Sequence, residues 1–255
     1  MKCMICLLAL LPLRNCAQSD PGIPVIPWAY LTNRNDRITC PGSSSSPAMI
    51  AFQHSRSFML RMENRFGMKD LNGLEMGLQF HGYGGQWLLS GMMQGNTHIN
   101  SFQGTVSHAL KLNEQLGMGL SLGFQGNYMR GYKLVYSPVI HAGILYWPKP
   151  ELAVAMHYGK ALNVHTMKQS ISYHFNSQLS AAVVVMKISS RNPVLSALIQ
   201  WRAVEPWTFL GGFDGIGKQP ALGIGKTSSS LYYGFMVSQH PMLGFSCNLV
   251  YGKAF

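Results

Sequence analysis

Acidic side chains are scarce in this 255-residue chain: 9 Asp and Glu stand against 20 Lys and Arg, a formal charge of +11. Charge of either sign is thin, since Asp, Glu, Lys and Arg together make 11% of residues, where soluble domains carry about a quarter. With a mean hydropathy of +0.08, so few charges exclude disorder, which needs low hydrophobicity and high charge. No apolar run of the length a helical span needs occurs after the N-terminus, so helical membrane crossing is excluded. The basic residues are scattered rather than clustered, which argues against nucleic acid. An anion-favouring lumen or rim is a better use of the excess.

Cysteine is also sparse where it would matter. Met1-Lys2 followed by the apolar stretch from Cys3 to Leu13 reads as a secretory signal peptide, too short to span a bilayer, with cleavage near Ala17-Gln18. Lipidation at Cys16 is the alternative, although Arg14 and Asn15 depart from a lipobox. Past residue 17 only Cys40 and Cys247 remain. Two cysteines make no disulfide framework.

What is present is glycine, 27 residues of it, and alternation. Leu74, Met76, Leu78 and Phe80 oppose Glu75, Gly77, Gln79 and His81. Met118, Leu120, Leu122 and Phe124 oppose Gly119, Ser121, Gly123, Gln125 and then Asn127. The same period of two runs through Leu152–Gly159, Ser170–Phe175, Leu195–Arg202 and Leu231–Ser238, and it ends in the strand from Phe245 to Phe255. The second face is Gly, Ser, Gln, Asn and His rather than Lys, Glu and Thr. A soluble sandwich would charge that face. A small polar face suits a crowded wet interior, while the apolar face meets lipid. Trp87, Tyr128, Tyr146, Trp147, Trp201 and Trp207 fall near block ends, as interfacial girdles do.

Short turn signals such as Asn113-Glu114-Gln115, Asn176-Ser177-Gln178 and Glu205-Pro206 separate the blocks. Gly91–Ile99, Tyr128–Ser137 and Gly159–Lys168 read as longer external loops. The expected fold is all-β: a transmembrane antiparallel β-barrel of about fourteen strands, twelve being the alternative. It divides into a signal peptide at 1–17, an irregular Pro-rich plug segment at 18–56 with one helical turn at Pro47–Phe52, and the barrel at 57–255. The implied place is the bacterial outer membrane, crossed many times.

Ser45-Ser46-Pro47-Ala48-Met49-Ile50-Ala51 resembles the Asn-Pro-Ala start of small Bacteroidetes outer-membrane barrels of the PorV/PorQ type, distant relatives of FadL-like transporters. Asn72-Gly73-Leu74-Glu75, Gly126-Asn127-Tyr128 and the closing His240-Pro241-Met242-Leu243-Gly244 hairpin are similar to that group as well. The resemblance implies a barrel of about fourteen strands whose N-terminal segment packs at the periplasmic mouth, and whose role is that of an accessory subunit in a secretion or assembly complex.

Chemistry is little in evidence. Ser107 and His108 are adjacent and so point to opposite faces of a strand, which rules out their acting together. No nucleophile, base and orienter can be named. Metal binding by His81, His157 and His174 would need convergence across strands. Gly215-Ile-Gly-Lys218 and Gly223-Ile-Gly-Lys226 lack P-loop spacing and read as strand glycines. The expectation is a non-enzymatic barrel without cofactor or metal: an accessory subunit, or alternatively a passive or FadL-like channel for small solutes. Gln79, His81, Gln125, Asn127, His157, Gln200 and Arg202 are the candidate lumen-lining residues. Tyr251 and Phe255 are the closing strand's assembly signal, read by the barrel-assembly machinery. The expected surroundings are outer-membrane lipid and other complex subunits, and no nucleic acid.

Overall fold

The computed structural model describes residues 46–255 apart from 54, 69–70, 133, 162–163, 190, 216–217 and 229. The stretch read as a signal peptide, Cys16, Cys40 and most of the segment read as irregular lie outside the described residues. What is described is a closed antiparallel barrel of fourteen strands, each paired with its neighbours in sequence, with the first and last strands closing the ring. Twelve strands is therefore excluded. The strands are β1 (Ser57–Asn64), β2 (Asn72–Gly82), β3 (Gly85–Gly95), β4 (Ile99–Lys111), β5 (Leu116–Met129), β6 (Val135–Lys149) and β7 (Leu152–Ala161) in the first half. The second half holds β8 (Val164–His174), β9 (Leu179–Ile188), β10 (Val194–Val204), β11 (Trp207–Asp214), β12 (Gln219–Thr227), β13 (Leu231–His240) and β14 (Gly244–Ala254).

Period-two side-chain direction builds the wall. In β5, Met118, Leu120, Leu122 and Phe124 are exposed on the outside while Ser121 and Gln125 are buried inside. Every alternating block read from the sequence keeps its two faces in this way. A row of exposed Leu, Ile, Val, Met and Phe around the whole circumference is intolerable in water, and it is what hydrocarbon requires. Backbone polarity is met by the ladder, which has no edge because β1 pairs with both β2 and β14. The terminal residue joins this seam, its N–H donating to the Arg56 carbonyl at 2.8 Å.

Turn chemistry fixes several of the hairpins. Asn113 Oδ1 accepts from the Gln115 and Leu116 N–H groups at 2.8 and 2.7 Å, and Asn176 does the same for Gln178 and Leu179. At the other end His240 Nδ1 accepts from Met242 and Leu243 N–H at 3.2 and 3.1 Å. The connections at the end carrying Ser57 and Ala254 run from two to four residues, against up to seven (65–71) opposite. The short-turn end is periplasmic in outer-membrane barrels.

Three details differ from the sequence reading. Gly91–Ile99 and Gly159–Lys168 are mostly strand and Tyr128–Ser137 is half strand, with connections at 96–98, 130–134 and 162–163. Inward residues such as Gln94, Ser137, Gly159, Thr166 and Lys168 are small or polar, which from sequence looks the same as a loop. Trp147 is not in an outer girdle but turned inward and buried, whereas Tyr146, Trp201 and Trp207 are exposed on the outside. Gly215 and Lys218 belong to the β11–β12 connection, and only Gly223 and Gly225 are strand glycines.

The segment before β1 enters the barrel. Pro47–Phe52 forms a 3-10 turn whose six residues are all buried. Proline begins it because its missing N–H is unused there. This plug turn packs on β3, β4, β5 and β6.

Candidate functional site

Among the described residues the buried polar side chains converge on the barrel interior. Its wall over β2 to β5 carries Gln79, Ser90, Gln103, Thr105 and Gln125, all buried and inward. Ser90 Oγ and Thr105 Oγ1, on register partners, lie 2.5 Å apart. Gln79 lies 1% exposed, and neither of its amide atoms has a hydrogen-bond partner among the described residues. Gln125 Nε2 and Asn248 Oδ1 are in the same condition. A buried amide left dry costs about 1–3 kcal/mol, so this wall needs water or a solute against it.

The wall over β6 to β9 is imidazole-rich. His141 Nδ1 and His157 Nε2 are 3.1 Å apart, one ring tilted 55° to the other. His157 is the register partner of Lys168 on β8 and of Gly143 on β6. Lower on the same wall the His174 ring stacks on Trp147 at 5.9 Å and 15°, with its Nδ1 2.7 Å from Ser180 Oγ. On β10 to β12, Ser196 Oγ donates to Asp214 Oδ1 at 3.1 Å. Interior acids at the β1–β2 seam are matched by bases: Arg61 Nη2 lies 2.6 Å from Glu75 Oε2, and Arg65 Nε 2.8 Å from Glu63 Oε1. A buried pair of this kind contributes little net stability, yet losing one partner is costly.

The plug turn sits against β4–β6 because glycines make room for it. A Cβ at Gly117 would meet Phe52 at 2.7 Å, one at Gly119 the Pro47–Ala48 backbone at 2.5 Å, and one at Gly143 the Ser46 hydroxyl. Strand glycines often mark such close backbone approach. Ala48, Ile50 and Phe52 then join Leu88, Leu145, Trp147 and residues of β7 to β13 in one apolar cluster within the barrel. A second inward group, Met59, Tyr232 and Val250, lies at β1, β13 and β14. The Tyr232 ring covers Gly225 and Gly234, where an added Cβ would come within 2.8 and 2.6 Å of its hydroxyl.

Of the residues singled out in the sequence, Gln79, Gln125 and His157 are buried on the inner face, and Asn127, Gln200 and Arg202 are half-buried on it. His81 is exposed at the end of β2, where its Nδ1 lies 3.1 Å from Gln86 Nε2. Pro47 and Ala48 open the plug turn, and His240, Pro241 and Gly244 make the β13–β14 hairpin. Tyr251 is outward on β14, beside Tyr233 at 5.4 Å. Ser107 faces inward, while His108 faces outward and packs on Trp87 at 4.4 Å. Among the described residues no three of His, Cys, Asp and Glu converge on a point suited to a metal. His141, Lys168, Arg61 and Asp214 were missed, and Trp147 was read as a girdle residue; their inward parity was readable, but not their neighbours across strands.

No family model matches the chain, and no curated protein matches it significantly. Solved structures do resemble it in shape. The Ralstonia pickettii toluene transporter TbuX superposes with a TM-score of 0.63 at 11% identity, over 83% of this chain and 92% of that one. A TodX monoaromatic hydrocarbon channel with a deltaS2S3 alteration gives 0.64 at 8% identity, over 83% and 93%. A Pseudomonas aeruginosa FadL homologue gives 0.54 at 11%, over 83% and 92%. At such identities the fold alone is shared, and it is that of outer-membrane β-barrels. The chain is a multi-pass outer-membrane β-barrel.

Proposed function

We propose that the barrel is a FadL-like channel for small solutes, with the segment around Pro47–Phe52 acting as a plug at its periplasmic mouth. The observation that carries this reading is the buried amide wall. Gln79 and Gln125 aim polar atoms without protein partners into the interior, an arrangement that serves a passage and burdens a merely structural core. The FadL-like neighbours include a toluene transporter and monoaromatic hydrocarbon channels. The Ser, Thr, Gln and His lining of this chain favours a solute with polar groups over a bare hydrocarbon. The carboxylates Glu63 and Glu75 are matched by Arg65 and Arg61, and the inward bases Lys168 and Arg202 outnumber the further inward acid Asp214, which tilts the passage toward anions.

Liposome swelling with solutes graded in size and charge is the test. Swelling with small neutral and anionic solutes, reduced by Gln79→Leu with Gln125→Leu, is expected. Proteoliposomes that swell no faster than empty ones, with or without residues 1–56, would refute it.

The apolar layer that crosses the interior through Val184, Leu198, Leu210 and Met236 favours a second reading. In that reading the barrel is a largely filled accessory subunit of a secretion or assembly complex, as the PorV/PorQ likeness implies. Co-purification from native membranes tests it: a barrel recovered without any stoichiometric partner contradicts a subunit role.

A further inference from the structure

On the outer wall an apolar groove of about 540 Å³ crosses β11 to β14 and β1. Strand register shows how it runs. Trp207, Lys226, Tyr233, Tyr251 and Leu60 form one continuous row of cross-strand partners. Trp207 opens β11 at the periplasmic rim, whereas Leu60 lies mid-strand in β1. The row therefore climbs diagonally from the membrane interface into the hydrocarbon. Four strand spacings make it about 19 Å long, comparable with an extended long acyl chain. Ile224, Phe235, Leu249 and Met62, themselves successive partners, form the upper bank.

The groove is polarised along its length. Its rim end holds Lys226, whose Nζ stands 5.4 Å over the Trp207 ring, and no acidic residue lines it. Its far end is wholly aliphatic. A cation in an aromatic belt at the head of an apolar channel is complementary to a phosphate joined to an acyl chain. We infer that this groove is a binding site for an anionic phospholipid of the inner leaflet, its phosphate on Lys226 and one acyl chain lying along Tyr233, Tyr251 and Leu60.

Native mass spectrometry of the detergent-solubilised full chain, titrated with phosphatidylglycerol or phosphatidylcholine, tests this, with heat-modifiable gel mobility confirming that each variant is folded. A single phosphatidylglycerol adduct is expected, bound more strongly than phosphatidylcholine. Lys226→Ala should weaken it about fivefold, the worth of one basic residue at an anionic membrane surface, while Lys226→Arg retains it. Leu249→Trp, which fills the groove, should remove adducts of both lipids; if that variant does not fold, Ile224→Trp takes its place. Lys149→Ala, on the far wall of the same rim, should change nothing. Equal adducts in all variants would overturn the site, and so would a loss in Lys149→Ala as large as in Lys226→Ala. A protein dimer broken by Leu249→Trp, without a lipid adduct, would make a second copy the occupant and refute the lipid.

Discussion

Replacing Gly119 by alanine should unseat the plug turn while leaving the barrel intact. The added Cβ would lie 2.5 Å from the Pro47 carbonyl carbon and 2.6 Å from the Ala48 nitrogen, against ordinary contact beyond 3.4 Å. Both neighbours are backbone, so the turn must retreat by about 1 Å, and overpacking of this kind costs about 1–3 kcal/mol. That is decisive because the turn is held by a narrow margin. Burying Met49, Ile50 and Phe52 with the methyls of Ala48 and Ala51 yields about 6–11 kcal/mol gross, while fixing six backbone residues costs about 6–12 kcal/mol, so the two nearly cancel. A penalty of 1–3 kcal/mol then shifts the docked-to-released ratio by roughly 5- to 150-fold. Single-channel recording in planar bilayers should show higher or more frequent conductance for Gly119→Ala, with gel heat-modifiability unchanged. The matched control is Gly91→Ala on the outer face, where an added Cβ meets nothing within 4 Å. If the two variants conduct and melt alike, the glycine slot does not seat the plug.

Other outcomes follow from the seams and the interior. Glu75→Gln leaves Arg61 buried without its counter-charge and should destabilise the barrel by about 3–5 kcal/mol, read as a lower temperature for loss of the fast-migrating gel form; Arg61→Met with Glu75→Leu should recover most of it. If Tyr251 and Phe255 serve as an assembly signal, replacing both by Ser should impair membrane insertion; normal insertion would refute that proposal. Gly234→Leu should displace the Tyr232 ring from its seat and destabilise by about 1–3 kcal/mol, whereas the same change with Tyr232→Ala should be milder.

Much of this architecture was legible because the strands of a membrane barrel obey a period of two along most of their length, broken here at Tyr146–Lys149 and Trp201–Val204. A residue such as Leu120 or Gln125 declares its face by parity alone, and Pro47 announces a turn by its fixed φ and missing donor. Two kinds of feature were not legible. Inward polar residues such as Gly159, Thr166 and Lys168 look like loop, so strand ends in the β7–β8 region were placed too early. Convergence was hidden as well: His141 meets His157 only because β6 and β7 pair in one register, and Trp147 finds His174 across an intervening strand. The glycine slot belongs to this second kind, since Gly117, Gly119 and Gly143 acquire meaning only when a segment from outside the strands presses on them.

The ring closes between β1 and β14 alone; every other pairing joins strands adjacent in the chain. Thirteen hairpin contacts can therefore zip up locally at little loop-entropy cost, and only the last pairing spans the whole sequence. The kinetic bottleneck belongs to that pairing, and β1, with eight residues, is among the shortest strands available to form it. A circular permutant opened at the tight 83–84 turn and joined across Phe255 and Arg56 would keep every pair but make β2–β3 the late step. Its folding rate would then report on that seam instead, in a barrel that keeps its fourteen strands and lacks only the plug turn.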